Sequence, residues 1–291
     1  MEITPVLVAA GVSLILWLAA LTLRGAEGRS WVSVLLAATI PVAAVVTAHR
    51  LQGLSFGYPP KEFMEAALLA GCASVGLGVL TGRAKGWATS VVALVLFGIG
   101  AATLFYYPTQ PLHERYWGGE VLIYVACLTG IALVVFEGRL AAEARGRTAE
   151  SALAVALATV AAAPALGLSG TTVTALDAAA LSSSAGLFGL MLVGLLHFRS
   201  DDMRPVEPLG RAAAPVQSAL FAGFVANGVL YAETPRVAGI LLLAAPLLVL
   251  LPGRSIAGRP WLASVLRLTL VAGVAAFAAY LSKGEPNPYG Y

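Results

Sequence analysis

The sequence predicts an all-α integral membrane protein, a polytopic bundle of about ten transmembrane helices forming one domain over residues 1–291. Three observations predict it. The chain is 59% hydrophobic and only 11% charged, where a soluble domain carries about 25% charged residues. Its mean hydropathy is +0.85. Apolar runs of spanning length recur from end to end, separated by short loops marked by Arg, Gly or Pro, and leave no room for a soluble domain. In water such a chain would lack the charged groups to cover its surface. In a bilayer, lipid-facing positions must be apolar.

The runs come in order. The first, 4–23, has no basic segment ahead of it and is longer than the apolar core of a secretory signal, so it is the first membrane helix. Residues 31–49, 63–82, 87–107 and 119–137 follow. The sixth run, 151–168, is short, and "GLSGTTVTALD" divides it from the seventh, 178–198, as a loop or re-entrant segment. The eighth (215–232) and ninth (236–253) are also short; 261–281 completes the set. Pro41, Pro164 and Pro246 fall inside these runs, where each frees a carbonyl and can kink its helix. Cys72 and Cys127, both within apolar runs, read as small buried apolar residues.

Loops after odd-numbered helices carry twelve Lys and Arg, from Arg24 to Arg259; loops after even-numbered helices and the tail carry five. The basic loops belong in the cytoplasm, so both termini face outside. The net charge of +3 and pI of about 9.0 therefore report topology and not nucleic-acid binding. Abundant Ala, Gly and Arg point to a GC-rich bacterial genome and hence to the bacterial inner membrane.

Outer loops "LSFGYPPKEF" and "FYYPTQPLHERYWGGE" are rich in Tyr, Trp and Pro. Tyr58, Tyr106, Tyr107, Tyr116 and Trp117 read as an interfacial belt, or as a rigid surface for a periplasmic partner or other membrane subunits. The tail "GEPNPYGY" should fray unless something binds it.

Ten helices divide into halves 1–147 and 148–291, and five helices per half would invert the second half. "AALLAGCASVG" (66–76) aligns with "SALFAGFVANG" (218–228), as an inverted repeat of the kind secondary transporters use. Length, helix count and five-plus-five spacing resemble the drug/metabolite transporter architecture. No motif of that superfamily is matched, and its members typically keep their termini in the cytoplasm, opposite to the charge count here.

The segment "DAAALSSSAGLFGLMLVGLLHFRSDD" holds an acid, three serines and a histidine, the parts of a nucleophilic hydrolase. Asp177 and His197 are ~30 Å apart along one helix, however, so no triad forms there. Ser182, Ser183 and Ser184 suit helix packing beside Gly186 and Gly189, or else line a transport cavity. "GLSG" (167–170) resembles the GxSG of intramembrane serine proteases but lacks a later His at its depth. His49, Glu65, His113, Glu114, Glu120 and Asp177 are spread over three outer loops without short ligand spacing, so no metal site is read, and no motif calls for a cofactor. Ionisable residues inside spans are scarce, which argues against proton translocation. Arg267 is expected to snorkel toward the cytoplasm. Asn227, mid-span beside Gly228, is the leading polar contact for a substrate or neighbouring helix, and Glu65 is a further cavity candidate. The reading is a non-enzymatic transporter of a small neutral or amphipathic molecule; the alternative is a non-catalytic subunit of a larger membrane complex.

Overall fold

The computed structural model describes residues 3–24, 30–54, 63–84, 86–106, 119–168, 172–198, 206–231, 234–252 and 260–283. They form ten α-helices. These are α1 (Thr4–Thr22), α2 (Trp31–Leu51), α3 (Phe63–Arg83), α4 (Trp87–Tyr106), α5 (Gly119–Ala144), α6 (Thr148–Leu168), α7 (Thr172–Phe198), α8 (Glu207–Tyr231), α9 (Arg236–Ala244) and α10 (Pro260–Leu281). A 3-10 turn, Ala245–Leu250, continues α9. Eight of the helices are long and apolar enough to cross a membrane; α4 and the α9 segment are shorter apolar helices. The loops holding Tyr58, Tyr107, His113, Glu114, Tyr116 and Trp117, Ser169 of "GLSG" and the residues after Lys283 lie outside the described residues, as do the side chains of Tyr106, Glu120 and His197.

Several helices outrun their expected ends. α5 continues seven residues past 137 to Ala144, α6 begins at Thr148, α7 at Thr172 and α8 at Glu207. The expected ends were drawn where a charge appears. Here those charges fold inward against other helices, so they do not terminate the segment. Gly146, at φ +70°, lets α5 stop and α6 restart within three residues, because only glycine adopts that backbone without strain. Most of "GLSGTTVTALD" is thus the first turns of α7, not a loop.

α8 is the hub. It packs on α2, α3, α5, α6, α7 and α9, and 89% of its most apolar window is buried against 28% for α10. In a bilayer that difference separates an interior helix from a lipid-facing one. Pro215 sits inside α8. It has no N–H, so the Arg211 carbonyl four residues back loses its helical donor. The Thr81 hydroxyl of α3 donates to that carbonyl at 2.8 Å. In return Arg211 Nε donates to the Thr81 carbonyl at 2.9 Å and Nη2 to the Ala84 carbonyl at 3.1 Å, which caps the end of α3.

The same two helices approach with little between them. A Cβ on Gly78 would strike the Ala212 carbonyl oxygen, and one on Gly82 would crowd Val34, Ala212 and the Pro208 carbonyl. Gly71 lies on Leu220, and Gly223 on Ala67. The pairs run in opposite directions along the two chains, so α3 and α8 are antiparallel. The halves do not share one set of neighbours: α10 packs along α6, whereas α5 has no comparable packing on α1.

Contacts gather the loops after odd-numbered helices at one end. Arg145 and Arg147 after α5 donate to the carbonyls of Leu250, Val249 and Leu251 after α9. Arg24 after α1 and Glu207 before α8 line one cavity with Arg147. This is the Arg-rich end; His49, Asp177 and Thr234 lie at the other. Cys127 departs from expectation, being exposed on α5, while Cys72 is half-buried; both are free thiols.

Candidate functional site

A cavity of about 660 Å³ opens at the Arg-rich end between α6, α7 and α10, with the start of α8 as one wall. Drug-sized ligands occupy pockets of roughly 300–1,000 Å³. Most of its lining is apolar: Leu153 from α6, Leu190, Val193 and Leu195 from α7, and Trp261, Val265 and Leu268 from α10. The polar side chains in the lining are few: Arg24, Arg147, Thr148, Glu150, Glu207 and Ser264. An apolar chamber with a short charged rim fits a molecule that has an apolar body and a polar end.

Glu150 organises that rim. It belongs to the first turn of α6, where a carboxylate is favoured by the helix dipole. Arg267 of α10 meets it side-on, Nε to Oε2 at 2.8 Å and Nη2 to Oε1 at 2.9 Å. Ser264 Oγ donates to Oε1 at 2.6 Å. Arg267 was expected to snorkel; it is buried and paired instead, because α6 starts three residues earlier than the apolar run and carries Glu150 to the same depth. Arg147 spans the gap to α9, its Nη1 on the Val249 carbonyl at 2.6 Å. Burial, and then the Arg267 charge, pull its guanidinium below the ordinary value; an arginine stays cationic regardless.

The opposite end holds a different polar cluster. Asp177, inside the second turn of α7 and fully buried, takes a hydrogen bond from His49 Nδ1 of α2 at 2.9 Å and one from Gln52 Nε2 at 3.1 Å. Asp177 therefore does find a histidine, His49 of another helix. Buried carboxylates persist where both oxygens are partnered, and here they are. The separation of 128 residues left no trace in the sequence.

None of the five residues singled out in the sequence lines the cavity. Ser182 Oγ donates to the Ala156 carbonyl of α6 at 2.8 Å, and Ser183 Oγ to the Ala180 carbonyl of its own helix at 2.8 Å. The Ser184 carbonyl accepts from Trp17 Nε1 at 3.0 Å, and the Trp17 ring stacks on Phe188 at 4.0 Å. Glu65 is buried in the first turn of α3. Asn227 is buried and gives its Nδ2 to Thr174 Oγ1 of α7 at 2.6 Å. Leucine at Asn227 should therefore lower stability by about 1 kcal/mol, the size of one interhelical hydrogen bond in a membrane, and leave ligand handling intact. Thermal melting beside a binding assay checks this; lost binding at unchanged melting temperature would move the site to Asn227.

The groups that sequence reasoning missed are Arg139, Glu143, Glu150, Arg211 and Gln217. The first four were assigned to loops or to helix ends, and Gln217, fully buried in α8, was passed over in favour of Asn227. Buried ionisable groups are thus not scarce in the spans, and the argument drawn from their scarcity against proton movement falls. No protein-family model matches the chain, no curated protein matches it, and the reading of its function rests on the geometry just described.

Proposed function

We propose that the protein is a transporter of a small amphipathic molecule, neutral or zwitterionic, and not an enzyme. It works in a bacterial inner membrane with its Arg-rich end in the cytoplasm and both termini outside. The observation that carries this reading is the cavity. It is large enough for such a molecule, apolar along most of its walls, and carries two arginines, two glutamates, a threonine and a serine in its lining. The α3–α8 contact lends support from a second direction. The segments 66–76 and 218–228, which align in sequence, are the ones that meet, Gly71 on Leu220 and Ala67 on Gly223, as expected of helices related by an inverted repeat.

The test uses a fluorescent lysophospholipid in proteoliposomes, with a membrane-impermeant quencher outside. Protein-dependent movement of the probe between leaflets is the expected result. Val193 and Val265 line the cavity yet are 46% and 51% exposed, so tryptophan at either fills the chamber without disturbing the core. Each should slow movement about tenfold, an increase of ~1.4 kcal/mol in the barrier. Equal rates in empty and protein-bearing vesicles would sink the proposal. Stoichiometric co-extraction of other chains in mild detergent would favour the alternative, a non-catalytic subunit of a membrane assembly.

A further inference from the structure

A carboxyl group whose nearest donors are two hydroxyls is buried where α5, α6 and α8 meet. Glu143 is 1% exposed, and its oxygens meet the Thr148 and Ser151 hydroxyls without well-formed hydrogen bonds. It presses on Gly210 of α8 so closely that a Cβ there would run into the carboxylate. Arg139 lies one turn back on α5, buried, with Nε on Ser151 Oγ at 3.3 Å and Nη1 on the Ala214 carbonyl at 3.4 Å. Its Nη2 also has no partner. The guanidinium is near enough to attract the carboxylate and does not hold it.

Such a group is pulled two ways. Burial favours the neutral acid, and the Thr148 and Ser151 hydroxyls and the facing arginine favour the anion. The other charged group facing it is Glu207 on α8, which favours the acid; α6 offers the hydroxyls of Thr148 and Ser151. α4 and the 3-10 turn carry no charged side chain, and α9 carries only Arg236 at its far end. Thr148 and Glu207 are also walls of the cavity. One layer of side chains therefore separates Glu143 from the chamber and from water at the Arg-rich end.

We propose that Glu143 is a reversible proton-binding site coupled to the cavity through Thr148 and Glu207. A hydronium ion at the Arg-rich end breaks one O–H bond, and the proton forms the O–H of the Glu143 carboxylic acid; water is left behind. The new O–H has the Thr148 and Ser151 oxygens beside it as acceptors. The step reverses when the proton returns to water. Loss of the negative charge relieves repulsion with Glu207, so protonation and the occupancy of the chamber bias one another, and linkage makes that bias reciprocal. The coupling rests on the transport reading above; the proton site does not.

Infrared difference spectra of the purified protein in phosphatidylcholine nanodiscs test the site directly. Acidification should raise a protonated-carboxyl C=O band, part of which is absent in Glu143→Gln. Glu143→Asp keeps the carboxyl and should shift the band, so the assignment survives if the glutamine variant does not fold. The same titrating band in folded Glu143→Gln, or identical spectra for wild type and Glu143→Asp, would overturn the proposal. In vesicles bearing the lysophospholipid probe, a pH gradient should change the wild-type rate severalfold and leave Glu143→Gln unmoved; a gradient response retained by Glu143→Gln overturns the coupling. A Glu143-dependent band with no probe movement in any variant supports the proton site and shows that the transport reading is what failed.

Discussion

Alanine at Gly78 should lower the melting temperature by roughly 5 °C, and leucine there should prevent assembly. The new Cβ meets the Ala212 carbonyl oxygen and, at 2.8 Å, the Ala38 Cβ. Neither is the far end of a flexible side chain. To make room α8 must move away from α3, and α8 also packs on five other helices. Overpacking a closed interface costs about 1–3 kcal/mol, and in a protein of this size each kcal/mol moves melting by roughly 2–4 °C. Separating the helices would also draw Arg211 from the end of α3 and leave the Thr81 and Ala84 carbonyls without donors. Gly76 is the control: a Cβ there meets nothing within 4 Å, so alanine should be neutral. Equal melting of Gly78→Ala and wild type would show that the α3–α8 crossing is looser than described.

The second large effect belongs to Glu150 and Arg267. Methionine at Arg267 leaves the Glu150 carboxylate in a mostly apolar chamber, with the Ser264 hydroxyl as its hydrogen bond and Arg147 as a more distant charge. Removing one member of a buried pair costs about 3–5 kcal/mol. Glutamine at Glu150 strands the guanidinium in the same way, at somewhat lower cost because an amide oxygen still accepts. The double replacement should be milder than the sum of the two, with a coupling of at least ~1 kcal/mol. A double-mutant cycle on unfolding in mixed micelles measures it. Additive losses would mean that the two side chains act independently and that the 2.8 and 2.9 Å contacts carry no net stabilisation.

Helix positions were legible because a bilayer imposes one rule on every lipid-facing residue, and apolar runs record it. Boundaries were misread where the rule stops applying. Glu143 and Arg139 looked like the end of α5, yet they face protein, not lipid or water, and a charge inside a bundle is governed by its partners. Pro215 looked like the start of α8. The Thr81 hydroxyl takes over the carbonyl that proline orphans, and the helix runs on. The cavity was not legible at all, since its walls come from α6, α7 and α10 and are ordinary leucines and valines in the sequence. Asn227 and the serines stood out for being polar in apolar surroundings, and that signal does not distinguish a ligand contact from a hydrogen bond between helices. Thr174 and Ala156, which the structure sets against Asn227 and Ser182, could not be paired with them from one sequence.

The 3-10 turn that ends α9 changes what the surrounding lipid experiences. Nine α-helical residues rise about 14 Å and six 3-10 residues about 12 Å, so the segment from Arg236 to Leu250 stands roughly 25 Å tall. A hydrocarbon core is about 30 Å thick. Stretching the last turn recovers part of the shortfall. A bilayer answers the remaining mismatch by thinning locally or by letting flanking side chains such as Arg236 snorkel, so the α9 flank is expected to suit thin membranes better than thick ones.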